Sequence, residues 1–106
     1  MEEKKALVAE DNSEHYETYA ALLSGMGLRV ERACDGVDAL AMAKSGSYAV
    51  VVLDVNLPRL GGLEVLKAVR RTKPYLPALA IARASTPSHA RSTRSPIPDR
   101  SAAYFP

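Results

Sequence analysis

The sequence predicts an open α/β fold, a doubly wound parallel sheet of four strands with three helices. Two observations carry this. The apolar periodicity switches repeatedly between a short-strand and a helical pattern, as it does when helices are laid against a parallel sheet. One six-residue run, Tyr48 to Leu53, has no polar alternation and is rich in β-branched residues, which marks a central strand covered on both faces.

Lys5 to Ala9 is the first strand candidate, and it runs into the polar cluster Glu10-Asp11-Asn12-Ser13. Asn12 or Ser13 can cap the following helix by accepting a free backbone N–H. In that helix Tyr19, Leu22, Leu23 and Met26 fall at i, i+3, i+4 and i+7, which predicts one buried stripe ended by Gly25 and Gly27. Leu28 to Ala33 reads as the second strand. Asp35-Gly36 then turns into a helix expected to carry Val37, Leu40 and Ala41 on its inner face and to stop near Ser45-Gly46. The central strand ends at Asp54. Val55 to Gly62 is a loop by its proline and glycines, and a third helix follows with Leu63, Leu66 and Val69 directed inward. Pro74 and Pro77 bound a linker, and Ala78 to Ala82 is the fourth strand. The short connections favour right-handed crossovers.

A length of 106 residues suits one domain. The formal charge of +2 is unevenly placed: residues 1 to 82 carry ten Lys/Arg against eleven Asp/Glu, while residues 83 to 106 carry four Arg against Asp99. Those arginines have no interleaved aromatic residues to stack on bases, so no nucleic-acid binding is expected. Cys34 stands alone, which excludes an intramolecular disulfide and a cysteine metal pair and predicts a buried or half-buried thiol. No apolar run approaches the ~20 residues of a spanning helix, and the charged start is unlike a secretory signal. A cytoplasmic protein without membrane contact is expected.

At the carboxyl edge of such a sheet loops leave room for ligands. Glu10 and Asp11 follow the first strand and Asp54 the third, and these strands are neighbours if the winding reverses after the second. Carboxylates brought together repel and raise their own pKa unless a cation joins them. A hard divalent ion such as Mg²⁺ suits that set. An oxygen of Asp54 is then placed to attack phosphorus, giving an acyl phosphate.

The wider pattern is Leu7-Val8-Ala9-Glu10-Asp11-Asn12, Ala39-Leu40, and Val51-Val52-Leu53-Asp54 with Leu57-Pro58 and Gly62-Leu63-Glu64-Val65-Leu66 behind it. Over residues 4 to 82 it resembles the receiver domain of two-component response regulators, a flavodoxin-like fold. The resemblance implies a signalling domain rather than an enzyme. It implies a Mg²⁺-dependent phosphorelay in which Asp54 accepts a phosphoryl group from a histidine kinase or phosphotransfer protein. Asp11 is implied as a direct metal ligand, Glu10 as its acidic partner and the carbonyl of Asn56 as a third contact.

Departures from the family are specific. Ala82 stands where the family has Thr or Ser, with Ser85 and Thr86 close by, and no lysine occurs after Lys73. Lys73-Pro74 imitates the family's Lys-Pro dipeptide but precedes the fourth strand. From residue 83 the pattern gives way to a tail with five Ser, two Thr, four Pro and four Arg in 24 residues, for which poor order is expected, with one short helix from Thr86 to about Arg94. The family's last helix, strand and helix have no counterpart, so the fold is expected to be incomplete. The abrupt change predicts an interrupted or frame-shifted coding sequence near residue 83. An uncovered fourth strand favours homo-oligomerisation through the sheet edge.

Two other functions compete. One is a degenerate receiver that binds a partner without being phosphorylated, since Ala82 and the absent lysine remove two phosphoryl-recognising groups. The other is a phosphatase of the haloacid dehalogenase type, in which Asn56 stands where a second acidic residue is wanted. His15, four residues past Asp11, reads as a solvated helix histidine, and His89 has no nameable partner. Tyr16, Tyr19 and Tyr48 read as packing residues with wet hydroxyls. Arg70, Arg71 and Lys73 read as the charged end of the third helix.

Overall fold

The structure is a computed structural model, and it describes residues 3–82 and, for the backbone alone, 103–104. The elements in chain order are β1 (Lys5–Ala9), α1 (Ser13–Gly25), β2 (Arg29–Ala33), α2 (Gly36–Ser45), β3 (Val50–Asp54), α3 (Gly62–Thr72), β4 (Ala78–Ile81) and β5 (Ala103–Tyr104). The four parallel strands and three helices expected from the sequence are all present. The sheet order is β2-β1-β3-β4-β5, so the winding does reverse after β2 and β1 lies beside β3.

Strand alternation sorts the side chains into two layers. Leu7, Ala9, Val51, Leu53, Ala78 and Ala80 join Ala39 and Ala43 of α2 and Val65, Leu66 and Val69 of α3 in one buried core. Val8 and Val52, paired in register between β1 and β3, are buried on the opposite face, where α1 lies against β1 and β2.

The helices differ from the sequence reading in which face they bury. The α1 stripe is not buried: no residue of α1 is, and Leu22 and Met26 are 64% and 68% exposed. Periodicity identified residues that share a face, but α1 is the sole helix among the described residues on its side of the sheet, so nothing described covers the far half of that face. In α2 the inner face is Gly36, Ala39 and Ala43, whereas Val37 is 40% exposed and Ala41 is exposed. Small residues there let α2 pack close to the sheet and to α3. In α3, Val65 takes the inward place expected of Leu63, which is 43% exposed. Cys34 is exposed rather than buried, because it follows the last residue of the outer strand β2.

The edge of β4 is not bare along its whole length. Ala80 and Ile81 pair antiparallel with Tyr104 and Ala103. Strand propensity alone could not have revealed β5, since its partner lies more than twenty positions away in the chain. The expected helix from Thr86 to Arg94, together with His89, lies outside the described residues. No helix among the described residues is long and apolar enough to cross a membrane.

Candidate functional site

The site forms where β1 and β3 end side by side. Their register pairs Ala9 with Leu53, so the residues that follow, Glu10 and Asp54, emerge on the same rim. Glu10, Asp11 and Asp54 each offer a carboxylate oxygen, and the three oxygens lie within 4.8 Å of one another. The sequence argument required this meeting, and the geometry provides it.

Two of the carboxylates are held by their own loops. Asn12 caps α1 by accepting from the backbone N–H of His15 at 2.9 Å, while its own N–H donates to Glu10 Oε2 at 3.1 Å. The N–H of Asn56 donates to Asp54 Oδ1 at 3.2 Å, so a backbone turn aims this carboxylate too. Gly62 begins α3 against the end of β3, where a Cβ would overlap the carbonyl oxygen of Asp54. Only glycine lets the helix come that close.

Glu10 is 1% exposed and Asp54 8%, whereas Asp11 is exposed. Burial pushes the Glu10 carboxyl above the ordinary range. The Asn12 N–H partly opposes that shift, and the Asp54 carboxylate adds to it. Glu10 Oε1 is buried without a hydrogen-bond partner. A buried carboxylate oxygen left unpaired is costly, and a cation would remove the cost together with the mutual repulsion. The donor set fits a small hard ion: three carboxylate oxygens from two strand ends lie near enough together, within 4.8 Å, to converge on one cation that takes oxygen ligands. Exposed Asp11 leaves one side open to the waters such an ion keeps.

Asn56 is exposed, in the loop from β3 to α3. His15 is nearer than a solvated helix histidine need be, with Nδ1 3.9 Å from Glu10 Oε2. Ile81 is the register partner of Asp54, and the next residue is Ala82, so the strand tip beside Asp54 presents a methyl group and no hydroxyl. Tyr48 keeps a polar tip in use: its hydroxyl donates to Glu31 at 2.7 Å under the Lys5 ammonium. Lys73 donates to the Gly46 carbonyl at 2.6 Å, a structural tie rather than a free cation.

Two supporting residues were missed in the sequence. Arg32 of β2 donates from Nε to the Glu10 carbonyl at 3.1 Å and from NH1 to Ser13 Oγ at 3.4 Å, with its guanidinium 4.7 Å from the Tyr16 ring centre. It clamps the acidic loop to the neighbouring strand. The available signal was an arginine one residue before the end of a strand that runs alongside β1, next to the buried Ala33. Arg59 reaches back to Asp35 at 3.1 Å across 24 residues, and no local pattern marked that pair.

Residues 6–95 match the family described as the response regulator receiver domain. The chain is 43% identical over 77 residues to the response regulator MprA of Mycobacterium ulcerans, an alignment covering 73% of this chain and 33% of that protein. It therefore spans about a third of the length of the curated relatives it matches. Among solved structures, it superposes on the receiver domain of the sensor histidine kinase PA1611 from Pseudomonas aeruginosa, with a TM-score of 0.68 and 27% identity over 74% of this chain and 66% of that one. That structure holds a magnesium ion coordinated in the active site cleft. The chemotaxis response regulator CheY4 of Vibrio cholerae gives a TM-score of 0.70 and 30% identity, covering 85% of this chain and 77% of that one.

Proposed function

Because the chain belongs to the response regulator receiver domain family, we propose that it accepts a phosphoryl group on Asp54 from a phosphohistidine of a kinase or phosphotransfer protein. The working unit is residues 1–82. The reading rests on one observation: carboxylate oxygens of Glu10, Asp11 and Asp54 lie within 4.8 Å, and Glu10 is buried with one oxygen unpartnered. Glu10, Asp11, Asp54 and the Asn56 carbonyl would hold a Mg²⁺ ion. When bound, the ion neutralises the phosphoryl oxygens.

The chain's own residues orient the nucleophile. The Asn56 N–H holds Asp54 Oδ1, which leaves the other carboxylate oxygen to form the new O–P bond as the P–N bond of the donor breaks, the electron pair staying on the departing imidazole nitrogen, which takes a proton from water. Backbone groups at the ends of β1 and β3 fix this geometry, so positioning is built into the sheet. Ala82 supplies no hydroxyl to the phosphoryl oxygens and the sequence has no lysine after Lys73, so transfer is expected to be slow compared with a domain carrying both groups.

The test is incubation of the purified protein with Mg²⁺ and acetyl phosphate, followed by intact mass. An adduct of about 80 Da, one phosphoryl group, is expected in the wild type and not in Asp54→Ala. Folded wild-type protein that gains no mass would instead indicate a receiver that binds partners without being phosphorylated.

A further inference from the structure

The rim carries a second charged contact, set back from the carboxylates, that joins two separate elements. Asp35 is the N-cap of α2, its Oδ1 accepting from the Asp38 N–H at 2.8 Å. Its other oxygen, Oδ2, receives Arg59 NH1 at 3.1 Å from the loop between β3 and α3. That loop follows Asp54 and contains Asn56. Two backbone features reinforce the contact. The Gly36 N–H donates to the Pro58 carbonyl at 3.0 Å, and Gly36 leaves no room for a Cβ beneath Leu60.

Arg59 also has a φ of 71°, the sole positive φ of a non-glycine residue among the described residues. Arginine in the left-handed region is under strain that glycine would not feel. A residue that keeps an unfavourable backbone conformation needs a compensating contact, and here that contact is with Asp35. Asp35 is only 14% exposed in its side chain and is oriented by its capping bond, so the pair is better organised than a free surface ion pair.

The geometry points to Asp35 and Arg59 as a latch that positions the Asp54–Asn56 turn by fastening its loop to the start of α2. Both are positioning residues that act through Asn56 without touching the phosphoryl group. The inference rests on the phosphoacceptor reading of Asp54 and adds to it a determinant outside the acidic cluster.

Two substitutions break the latch while sparing the fold. Arg59→Gly removes the guanidinium and relieves the strained φ, so its melting temperature is expected to equal or exceed that of the wild type. Asp35→Asn keeps a capping oxygen for Asp38 but loses the charge. Each is expected to slow acetyl phosphate labelling of Asp54 about tenfold, a fraction of the ~10²-fold that a misplacement of about 1 Å can cost. Arg59→Lys, which keeps the charge, is expected to fall between. A structural role alone predicts the opposite pairing, with stability lost and labelling of the folded fraction unchanged.

The second measurement is hydrogen exchange at the Gly36 amide, which needs no phosphorylation. It is expected to be at least several-fold faster in both variants than in the wild type. Labelling and exchange both equal to wild type would overturn the latch. A wild type that takes no phosphoryl group while Gly36 exchange still rises in the variants would sink the Asp54 reading and leave the latch standing as a tie between the loop and α2.

Discussion

Glu31, in the middle of β2, shows how a neighbour sets a side chain's charge. The Tyr48 hydroxyl hydrogen bond, followed by the Lys5 ammonium, holds the Glu31 carboxyl below the ordinary carboxylate range. Burial, and after it the hydrogen bond to Glu31, pushes Tyr48 up to about 12. A depressed carboxyl contributes stability that is present above its unfolded value near 4.5 and lost as pH falls through its folded value. Tyr48→Phe removes the largest cause. The Glu31 carboxyl is therefore expected to titrate at higher pH in that variant, read by carbonyl-carbon NMR; an unchanged midpoint would show that Lys5 alone sets it. At the rim the residues that carry chemistry were legible because their neighbours in sequence are also their neighbours in space. Glu10 and Asp11 directly follow one recognisable strand, and Asp54 ends another. Arg32 and the Asp35–Arg59 pair were not legible, because they are joined across β2 and across a loop that local patterns do not connect.

At the scale of elements, strands read more truly than helix faces. The run Val50–Asp54 declared itself by its β-branched residues and is buried from Val51 onward. Helix faces depend on what lies opposite, and a sequence records periodicity without recording cover. The α1 stripe was misplaced for that reason, and α2 is turned so that the small residues Ala39 and Ala43 meet the sheet, while in α3 Leu66 and Val69 face inward as expected and Val65 replaces Leu63 beside them. This contrast makes a stability prediction. Leu22→Ala and Met26→Ala on exposed positions are each expected to change stability by under about 0.5 kcal/mol. Gly62→Ala should cost about 1–3 kcal/mol, because its methyl must displace the Asp54 carbonyl at the start of α3. Urea midpoints check both; a large loss at Leu22 would mean that the α1 face is covered after all.

For the whole molecule, the fold class and the meeting of β1 with β3 follow from the order of elements and the reversal of winding. The family's pattern made both legible over residues 4 to 82. What the sequence could not reveal was β5, whose two residues shield the Ala80–Ile81 part of an edge that was expected to be open. The remaining β4 residues, Ala78 and Leu79, have no partner on that side among the described residues. The acidic rim draws on residues scattered from Glu10 to Asn56, so its cation would tie together the loops of two strands and report on the folded sheet as a unit.

Thermal unfolding with and without Mg²⁺ tests the shared-cation claim most directly. At about 100 times the dissociation constant a ligand specific to the folded state adds about 2.7 kcal/mol, a rise on the order of 10 °C for a domain of this size. The wild type is expected to show that rise. Asp54→Ala is expected to melt higher than the wild type without Mg²⁺, because one of three crowded negative charges is gone, and to respond little when Mg²⁺ is added. A wild-type melt indifferent to Mg²⁺, or an equal shift in Asp54→Ala, would contradict the account.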